Sequence, residues 1–312
     1  MDVSVVTVTR NTCALTCAAI QSVFDSQDSL TKEIFVVDNG STDDTPTVVP
    51  RTFPGVHYLR AEANLGLPRA CNMAAKQARG EFILQLNSDA RLTPDALGQA
   101  VAWMRSRPDC AAVGAQLLNP DGSRQNSIAN FPTLATELIN KSLLRRLWPD
   151  KFPGKERQFS GPVEVESVVG AFMLIRKATW DALDGWDEHY FFFFEETDFC
   201  KRARQRGQLT FHLPNVRAWH GQGQTAKQMS AGARVEFWRS RYLYFSKHHS
   251  RLSRLLLKTG LLLRLFFNWL AAGLMNLATL GRDERWQNRW QVCSALVGWH
   301  LRGCPAEGGL PR

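Results

Sequence analysis

The chain has 312 residues, enough for a complete α/β core and a further region, and its 44% hydrophobic and 21% charged residues are typical of a globular protein. Seven scattered cysteines, with no Cys-x-x-Cys pair, argue against a disulfide framework or a zinc site and favour a reducing, cytosolic environment. The net charge of +9 lies wholly in residues 231–312, which contain 13 Lys and Arg against 4 Asp and Glu. Because this charge accompanies long apolar runs and no nucleic-acid-binding module, it favours an anionic membrane surface over nucleic acid.

Buried strands and amphipathic helices are predicted to alternate through the first half of the chain. The amino-terminal residues lack the basic segment and cleavage site of a signal peptide and read as the first strand. Helices are predicted over Cys13–Phe24, up to about Arg79, and from Pro94 to about residue 106 with Thr93 as its cap. The predicted strands are Val3–Val8, Glu33–Val37, Val56–Leu59, Phe82–Leu86 and Ala111–Leu117. This alternation predicts a doubly wound, mostly parallel sheet.

Three polar turns follow three of these predicted strands: Thr9-Arg10-Asn11, Asp38-Asn39-Gly40 and Asn87-Ser88-Asp89. In open α/β sheets, ligands bind in a crevice at the carboxyl ends of the strands, so the turns are expected to face one crevice. A carboxylate at Asp89 is well placed to hold a divalent cation that also touches a phosphate. The alternative is that Asp89 only caps a turn, since Asn, Ser and Asp are ordinary turn residues.

Motifs that are missing from the sequence exclude other nucleotide-binding classes. No Gly-x-Gly-x-x-Gly follows the first strand, which argues against a dinucleotide oxidoreductase. No Gly-x-x-x-x-Gly-Lys-[Ser/Thr] is present, which argues against a P-loop NTPase, and no Gly-x-Ser-x-Gly elbow indicates an α/β-hydrolase. The remaining possibility is a nucleotide held by side-chain carboxylates and a metal ion.

The order of these motifs resembles that of the family 2 glycosyltransferases, which have the GT-A fold, and in particular the bacterial rhamnosyltransferase-like branch that builds surface polysaccharides. The resemblance covers residues 3–250 and rests on Val3-Ser-Val-Val-Thr-Val-Thr-Arg-Asn, Val36-Val-Asp-Asn-Gly-Ser-Thr-Asp, Asn64-Leu-Gly and Leu86-Asn-Ser-Asp. It implies an inverting, metal-dependent transfer of a sugar, with rhamnose as the leading candidate, from a nucleoside-diphosphate donor. The implied acceptor is a glycan or a polyprenyl-linked saccharide.

The resemblance also implies a set of donor-binding residues. Asp38 matches the carboxylate that contacts the nucleotide base, and Asp89 matches the last residue of the Asp-x-Asp motif that binds Mg²⁺ or Mn²⁺. Asn87 departs from that motif, because an amide oxygen brings less charge to a metal than a carboxylate does. The full set expected to bind the nucleotide sugar is Thr9, Arg10, Asp38, Asn64, Arg69, Asn72, Asn87 and Asp89.

The second half of the chain is predicted to supply the acceptor site. Val168–Ile175 and Phe191–Phe194 read as strands, and an acidic-to-basic helix follows, closed by Gly207. Its first turn resembles the family's acceptor-site motif, so Glu196 is expected to be the catalytic base, with Glu195 and Asp198 as alternatives. Favourable helix electrostatics are the competing explanation for these acids. His220, in Trp219-His220-Gly-Gln-Gly, is implied to complete the metal site, with a structural role as its alternative.

The basic tail is predicted to be helical. After a helix over Ala233–His249, the segment from Arg251 to Leu270 places Arg251, Arg254 and Lys258 on one face among leucines. The uncharged run Leu265–Gly281 is short for a membrane span, so an interfacial anchor is favoured over a span. A packed helical pair or a dimer contact is the alternative.

These inferences predict a GT-A catalytic domain at 1–250, divided into a nucleotide-sugar half (1–118) and an acceptor half (119–250), and a helical extension at 251–312. The expected location is the cytoplasmic face of the cell membrane, with peripheral attachment. Two other functions remain open: a sugar-phosphate nucleotidyltransferase, and a non-catalytic, membrane-associated protein that binds a nucleotide sugar. The nucleotidyltransferase is disfavoured because Thr9-Arg10-Asn11 is not a Gly-rich basic loop.

Overall fold

The computed structural model describes residues 1–154, 157–221 and 231–312. The strands in these ranges are β1 (Val3–Thr9), β2 (Lys32–Asn39), β3 (His57–Ala61), β4 (Phe82–Leu86), β5 (Ala90–Leu92), β6 (Cys110–Leu118), β7 (Ile128–Ala129), β8 (Val163–Val165), β9 (Ser167–Val168), β10 (Phe172–Arg176) and β11 (Leu209–His220). The helices are α1 (Cys13–Phe24), α2 (Thr45–Thr52), α3 (Leu67–Ala75), α4 (Ala96–Arg105), α5 (Leu134–Leu138), α6 (Lys141–Leu147), α7 (Lys177–Ala182), α8 (Glu195–Gln205), α9 (Ala231–His248), α10 (Arg251–Ala278) and α11 (Glu284–Leu301).

A central sheet has the strand order β3-β2-β1-β4-β10-β6-β11-β5, and β8 pairs with β11. Strands β3, β2, β1 and β4 are parallel, β10 is antiparallel to both of its neighbours, and β6 and β11 are parallel. The buried apolar residues of β1 and β4 divide between two clusters, one on each face of the sheet. Burial on both faces explains why these strands are nearly continuous apolar runs. The predicted α/β architecture is confirmed.

Most predicted elements are present, and the differences have physical causes. The helix predicted from Pro94 begins at Ala96, because the Thr93 hydroxyl donates to the Arg217 carbonyl 3.0 Å away and caps no helix. The strand predicted over Val168–Ile175 is divided into β9 and β10. Between them, the carbonyl of Ala171 accepts a hydrogen bond from the N–H of Asn87.

The Phe191–Phe194 run is not the strand that its composition predicts. Phe193 and Phe194 have left-handed backbone angles (φ 69° and 71°), which cost roughly 1–3 kcal/mol each for residues other than glycine. The loop is held from two sides: the Phe191 carbonyl accepts from the N–H of Leu67 at 2.9 Å, and the Phe192 carbonyl accepts from the Ser240 hydroxyl at 2.8 Å. Gly66 permits this approach, because a Cβ there would lie 2.6 Å from the Phe191 oxygen.

The three C-terminal helices pack together and against the Phe191–Phe194 loop. One apolar cluster joins Trp238 and Tyr244 of α9, Leu257 and Leu261 of α10, and Trp299 of α11, with Phe194 packed against it. Helices α10 and α11 of the extension thus pack against each other and against α9, while most of the apolar side chains of α10 stay exposed. Among the described residues, α10 is also the one helix long and apolar enough to cross a membrane.

Candidate active site

The three polar turns converge at the carboxyl ends of β1, β2 and β4, as predicted from the sequence. Together they line a cavity of about 210 Å³. Its polar lining is formed by Thr9, Arg10, Thr12, Asn39, Asn64, Asn87, Ser88 and Asp89, and its apolar lining includes Val8, Leu67, Phe191, Phe192, Leu310 and Pro311. Thr12 and Ser88, which the sequence analysis did not single out, tie two of the turns together through a hydroxyl–hydroxyl bond of 3.1 Å.

Asp38 lies beneath this lining and is fully buried. Its Oδ1 accepts the backbone N–H of Ser41 at 2.8 Å, and its Oδ2 accepts the Tyr58 hydroxyl at 2.8 Å. Burial and this carboxylate raise the pKa of Tyr58. The neighbouring Asn39 reaches the lining instead, and its Nδ2 donates to Asn64 Oδ1 at 2.8 Å.

Arg69 and Asn72 are not brought to the lining of this cavity. Asn72 donates to the Trp186 carbonyl at 2.9 Å and to Glu188 at 3.0 Å, and Arg69 lies 3.4 Å from Glu188. Asn72 lines a different, larger cavity of about 570 Å³. Several charged groups there are already paired, including Lys177 with Asp181.

Asp89 and His220 meet at the edge of the crevice, where the antiparallel pairing of β11 with β5 places His220 opposite Ala90. The His220 Nε2 lies 3.4 Å from Asp89 Oδ1, and its Nδ1 lies 3.0 Å from the Oε1 of Gln125. The Gln125 Nε2 donates to the His220 carbonyl at 2.7 Å and to Asn119 Oδ1 at 2.9 Å, which leaves Gln125 Oε1 as an acceptor. The imidazole proton is therefore assigned to Nδ1.

The position of this proton bears on whether Asp89 and His220 fit a metal ion. With the proton on Nδ1, the lone pair of His220 Nε2 faces a carboxylate oxygen, and only a proton or a cation between the two atoms makes that contact favourable. A carboxylate and an imidazole are suitable ligands for Mn²⁺ and similar ions. Within the described ranges, no group of three or more His, Cys, Asp and Glu side chains forms a metal site, so other ligands of an ion here would be amides, waters or substrate oxygens.

The acidic residues of α8 are in two different environments. Glu195 and Glu196 each have a buried Oε2 without a hydrogen-bond partner. Burial raises the pKa of both, and the charge of Glu196 further raises that of Glu195. A Cβ placed on Gly170 would lie 3.2 Å from Gln85 Nε2 and 3.8 Å from the Cβ of Glu196, which locates Glu196 beside the end of β4, just before the Asn87 turn.

The carboxylate of Asp198 is surrounded by nitrogen donors, of which Arg202 and Lys247 are cations. Burial alone would raise its pKa, but hydrogen bonds from His248 and Lys247 and the charge of Arg202 lower it to about 2. The distances from its carboxylate are 2.7 Å to Arg202 Nε, 2.6 Å to Lys247 Nζ and 2.8 Å to His248 Nε2. These contacts connect α8 to α9, and the carboxylate is fully buried.

Known proteins share both the sequence pattern and the fold. The N-acetylglucosaminyl-diphospho-decaprenol L-rhamnosyltransferase of Mycobacterium tuberculosis is 26% identical over 233 residues, which are 70% of this chain and 75% of that protein. The rhamnosyltransferase WbbL of Escherichia coli is 27% identical over 146 residues, 46% of this chain and 54% of that protein.

Two solved structures confirm the GT-A arrangement. The mannosyltransferase PcManGT from Pyrobaculum calidifontis, solved with GDP-Man and Mn²⁺, matches with a TM-score of 0.57 at 16% identity, covering 98% of this chain and 87% of that chain. S. aureus TarS 1–349, solved with UDP, matches with a TM-score of 0.53 at 20% identity, covering 78% of this chain and 64% of that chain. The family model described as Glycosyl transferase family 2 matches residues 4–183. This chain therefore belongs to glycosyl transferase family 2, and it is a glycosyltransferase.

Proposed function

We propose that this glycosyltransferase transfers a hexose, with inversion at the anomeric carbon, from a nucleoside-diphosphate sugar to a hydroxyl group of a polyprenyl-linked glycan. The observation that carries the proposal is the pair Glu195–Glu196 at the start of α8. Each glutamate has a buried oxygen without a partner, and Glu196 lies beside Gln85 of β4, the strand that leads into the Asn87 turn of the crevice. The rhamnosyltransferase relatives support rhamnose as the sugar and a lipid-linked acceptor.

In the proposed reaction, the acceptor oxygen attacks the anomeric carbon while the bond from that carbon to the diphosphate oxygen breaks. The nucleoside diphosphate leaves with the bonding electron pair, and Glu196 accepts the acceptor's hydroxyl proton. A raised pKa suits this role, because it makes the ionised carboxylate a stronger base. Glu195, more deeply buried, is proposed as the alternative base, and Asp198 is proposed to hold the helix in place.

Asp89 and His220 are proposed to hold a divalent cation, Mg²⁺ or Mn²⁺, with Asn87 nearby. Such a cation offsets the negative charge that develops on a leaving diphosphate. The residues of this chain contribute the binding geometry: Gln125 orients the imidazole, and the Asp89 carbonyl accepts the N–H of Gly221 at 2.8 Å, which fixes the turn.

We further propose that residues 1–250 form the catalytic domain and that 251–312 attach it to the cytoplasmic face of the membrane. Helix α10 buries Leu257, Leu261, Leu265 and Ala272 against the protein and leaves its other faces exposed. The exposed apolar side chains of α10 are Leu252, Leu255, Leu256, Leu263, Phe266, Phe267, Leu270, Leu274, Met275 and Leu277. Basic residues at its first turns and at Arg264 complement anionic headgroups, and a membrane location would bring the enzyme to a lipid-linked acceptor.

Thermal unfolding with a panel of nucleoside diphosphates and nucleotide sugars, with and without Mn²⁺, tests the donor site. A ligand that binds the folded state raises the melting temperature by mass action, so one nucleotide is expected to give a metal-dependent rise. The metal-dependent part should disappear in Asp89→Asn and persist in Asp25→Asn, a change at an exposed carboxylate just after α1. No shift with any nucleotide would contradict the proposal.

A further inference from the structure

Residues 305–312, which we call the strap, run from α11 across α9 to the donor crevice. The first part of the strap is anchored to both helices: the Pro305 carbonyl accepts from Trp299 Nε1 at 2.9 Å and from Arg239 Nη2 at 3.0 Å. Arg239 also donates to the Ala306 carbonyl at 2.9 Å. These bonds fix the strap at its start, away from the crevice.

The last residues of the strap lie at the crevice, where Leu310 is half-buried and Pro311 and Arg312 are exposed. Leu310 and Pro311 line the cavity together with Asp89 and the Asn87 turn. The Nδ2 of Asn64 donates to the Pro311 carbonyl at 2.6 Å, and the guanidinium of Arg312 lies 5.0 Å from the centre of the Phe191 ring. The orientation of the Asn64 amide is fixed, because its oxygen accepts from Asn39 and from the N–H of Gly66.

The Asn64 Nδ2 group is therefore hydrogen-bonded to the strap and is not available to a ligand in the crevice. The remaining cavity of about 210 Å³ is smaller than the roughly 300–1,000 Å³ typical of small-molecule sites. A nucleoside-diphosphate sugar is a large ligand of this kind. With the strap seated, the crevice lacks room for the donor beside Leu310 and Pro311.

The part between the anchor and the crevice contains two consecutive glycines, Gly308 and Gly309, which give the backbone its greatest conformational freedom. Gly308 has a left-handed φ of 86°, and Gly309 follows it directly. Gly309 lies so close to α9 that a Cβ on Gly232 would be 2.5 Å from its oxygen. The Leu310 N–H and Arg239 both donate to the buried carboxylate of Glu236. The tip is held by the Leu310 N–H and the charge of Arg312 at Glu236, by the Asn64 bond to Pro311 and by the contact of Arg312 with Phe191. None of these contacts involves the bonds at 305–306, so residues 310–312 can be displaced while the anchor stays bound.

We propose that the strap is an autoinhibitory segment: its tip competes with the nucleotide-sugar donor for the crevice, and donor binding requires its displacement. This inference rests on the proposed function for the identity of the competing ligand. A protein whose binding-competent state is only partly populated has an apparent affinity reduced by that fraction. Weakening the tip should therefore strengthen donor binding.

The test uses the full chain with Leu310→Asp and Arg312→Ala combined. The aspartate places a charge in the apolar part of the cavity and beside Glu236, and the alanine removes the contact with Phe191. We expect the double variant to bind its nucleoside diphosphate about tenfold more tightly than the wild type, measured by calorimetry with Mn²⁺. Glu307→Gln, a change at an exposed side chain in the same strap, is the matched control and should leave the affinity unchanged.

A second measurement separates the strap from the proposed function. A fluorescent peptide with the sequence of residues 305–312 should bind the double variant, bind the wild type more weakly, and be released by the nucleotide. Equal or weaker nucleotide binding by the double variant overturns the inference, and weaker binding would make the tip a part of the donor site. If no nucleotide binds either protein, the proposed donor is wrong, and peptide binding alone then decides whether the strap occupies the crevice.

Discussion

The Nε2 of His220 and the Oδ1 of Asp89 lie 3.4 Å apart at the crevice edge, and Gln125 holds the opposite side of the imidazole. Because Gln125 fixes the ring through Nδ1, replacing it with leucine should free the ring to rotate and to exchange tautomers. Loss of such supporting hydrogen bonds lowers metal affinity by about 10–100-fold. Titration of the Mn²⁺ electron-spin resonance signal would measure this loss directly, without turnover.

Gln99, an exposed glutamine on α4, provides the control for that experiment. Gln99→Leu should bind Mn²⁺ as the wild type does. If Gln125→Leu kept full Mn²⁺ affinity, the contact between Gln125 and His220 would have no role in a metal site.

Glu196→Gln should have opposite effects on turnover and on stability. Loss of a general base lowers turnover by about 10²–10⁴-fold, while nucleotide binding remains. Burial raises the pKa of Glu196, so its ionised form is disfavoured in the folded protein. At a pH above the pKa that Glu196 has in the unfolded chain, burying this carboxyl group destabilises the folded state. The neutral amide of glutamine should therefore raise the melting temperature at pH 7.

Glu62→Gln, a change at an exposed glutamate, is the matched control and should alter neither the turnover nor the melting temperature. Turnover near the wild-type level in Glu196→Gln would remove Glu196 from the mechanism and leave Glu195 as the base to examine. Lower stability together with lower turnover would indicate a structural role.

Asp198→Asn should mainly lower the stability of the folded protein. The substitution leaves Arg202, Lys247 and His248 around a neutral amide, and breaking a buried ion pair in this way costs roughly 3–5 kcal/mol. Urea unfolding would measure the change. Asp181→Asn removes an exposed pair with Lys177 and should cost less than about 1 kcal/mol.

The carboxylate of Asp198 also limits the stability of the folded protein at low pH. The pKa of Asp198 falls from an ordinary 3.8 to about 2 on folding, so its stabilising contribution is complete above pH 3.8 and is lost as the pH falls towards 2. The wild type should lose more stability than Asp198→Asn across this interval. An equal loss in both proteins would show that Asp198 does not contribute to the acid limit.

Membrane attachment should depend on the exposed rings of α10. Phe266 and Phe267 are 51% and 63% exposed, and replacing both with serine should abolish sedimentation with vesicles that contain phosphatidylglycerol. Phe24→Ser is the control, because Phe24 on α1 is 53% exposed but far from the basic tail in sequence. If the wild type fails to bind vesicles and instead dimerises through these residues, the apolar face is an interface between two copies.

The sequence predicts those parts of the site whose signal is local. A buried apolar strand followed by Asn, Ser and Asp identifies the Asn87–Asp89 turn, because both halves of the pattern are adjacent along the chain. The Phe191–Phe194 loop could not be predicted in this way, since its composition matches a strand and its conformation depends on Leu67 and Ser240, which are distant in sequence.

Two other features, Gln125 and the strap, have no sequence pattern that would predict their role. Gln125 is a single glutamine in an irregular segment, and its role depends on the position of β11, more than ninety residues further along the chain. The strap is a short stretch rich in Gly and Pro, which predicts an irregular segment but not where that segment lies. In both cases the tertiary fold, and not the local sequence, creates the contact.

The apolar cluster shared by α9, α10 and α11 also contacts Phe194, the residue immediately before Glu195. The side chains next to the acidic pair and those beneath the exposed apolar face of α10 are thus parts of one packed unit. A cut after His249 would expose Tyr244 and Trp238 and remove the packing behind Phe194. The C-terminal helices therefore support the backbone that places the two glutamates, so their removal should impair the catalytic site whether or not α10 meets a membrane.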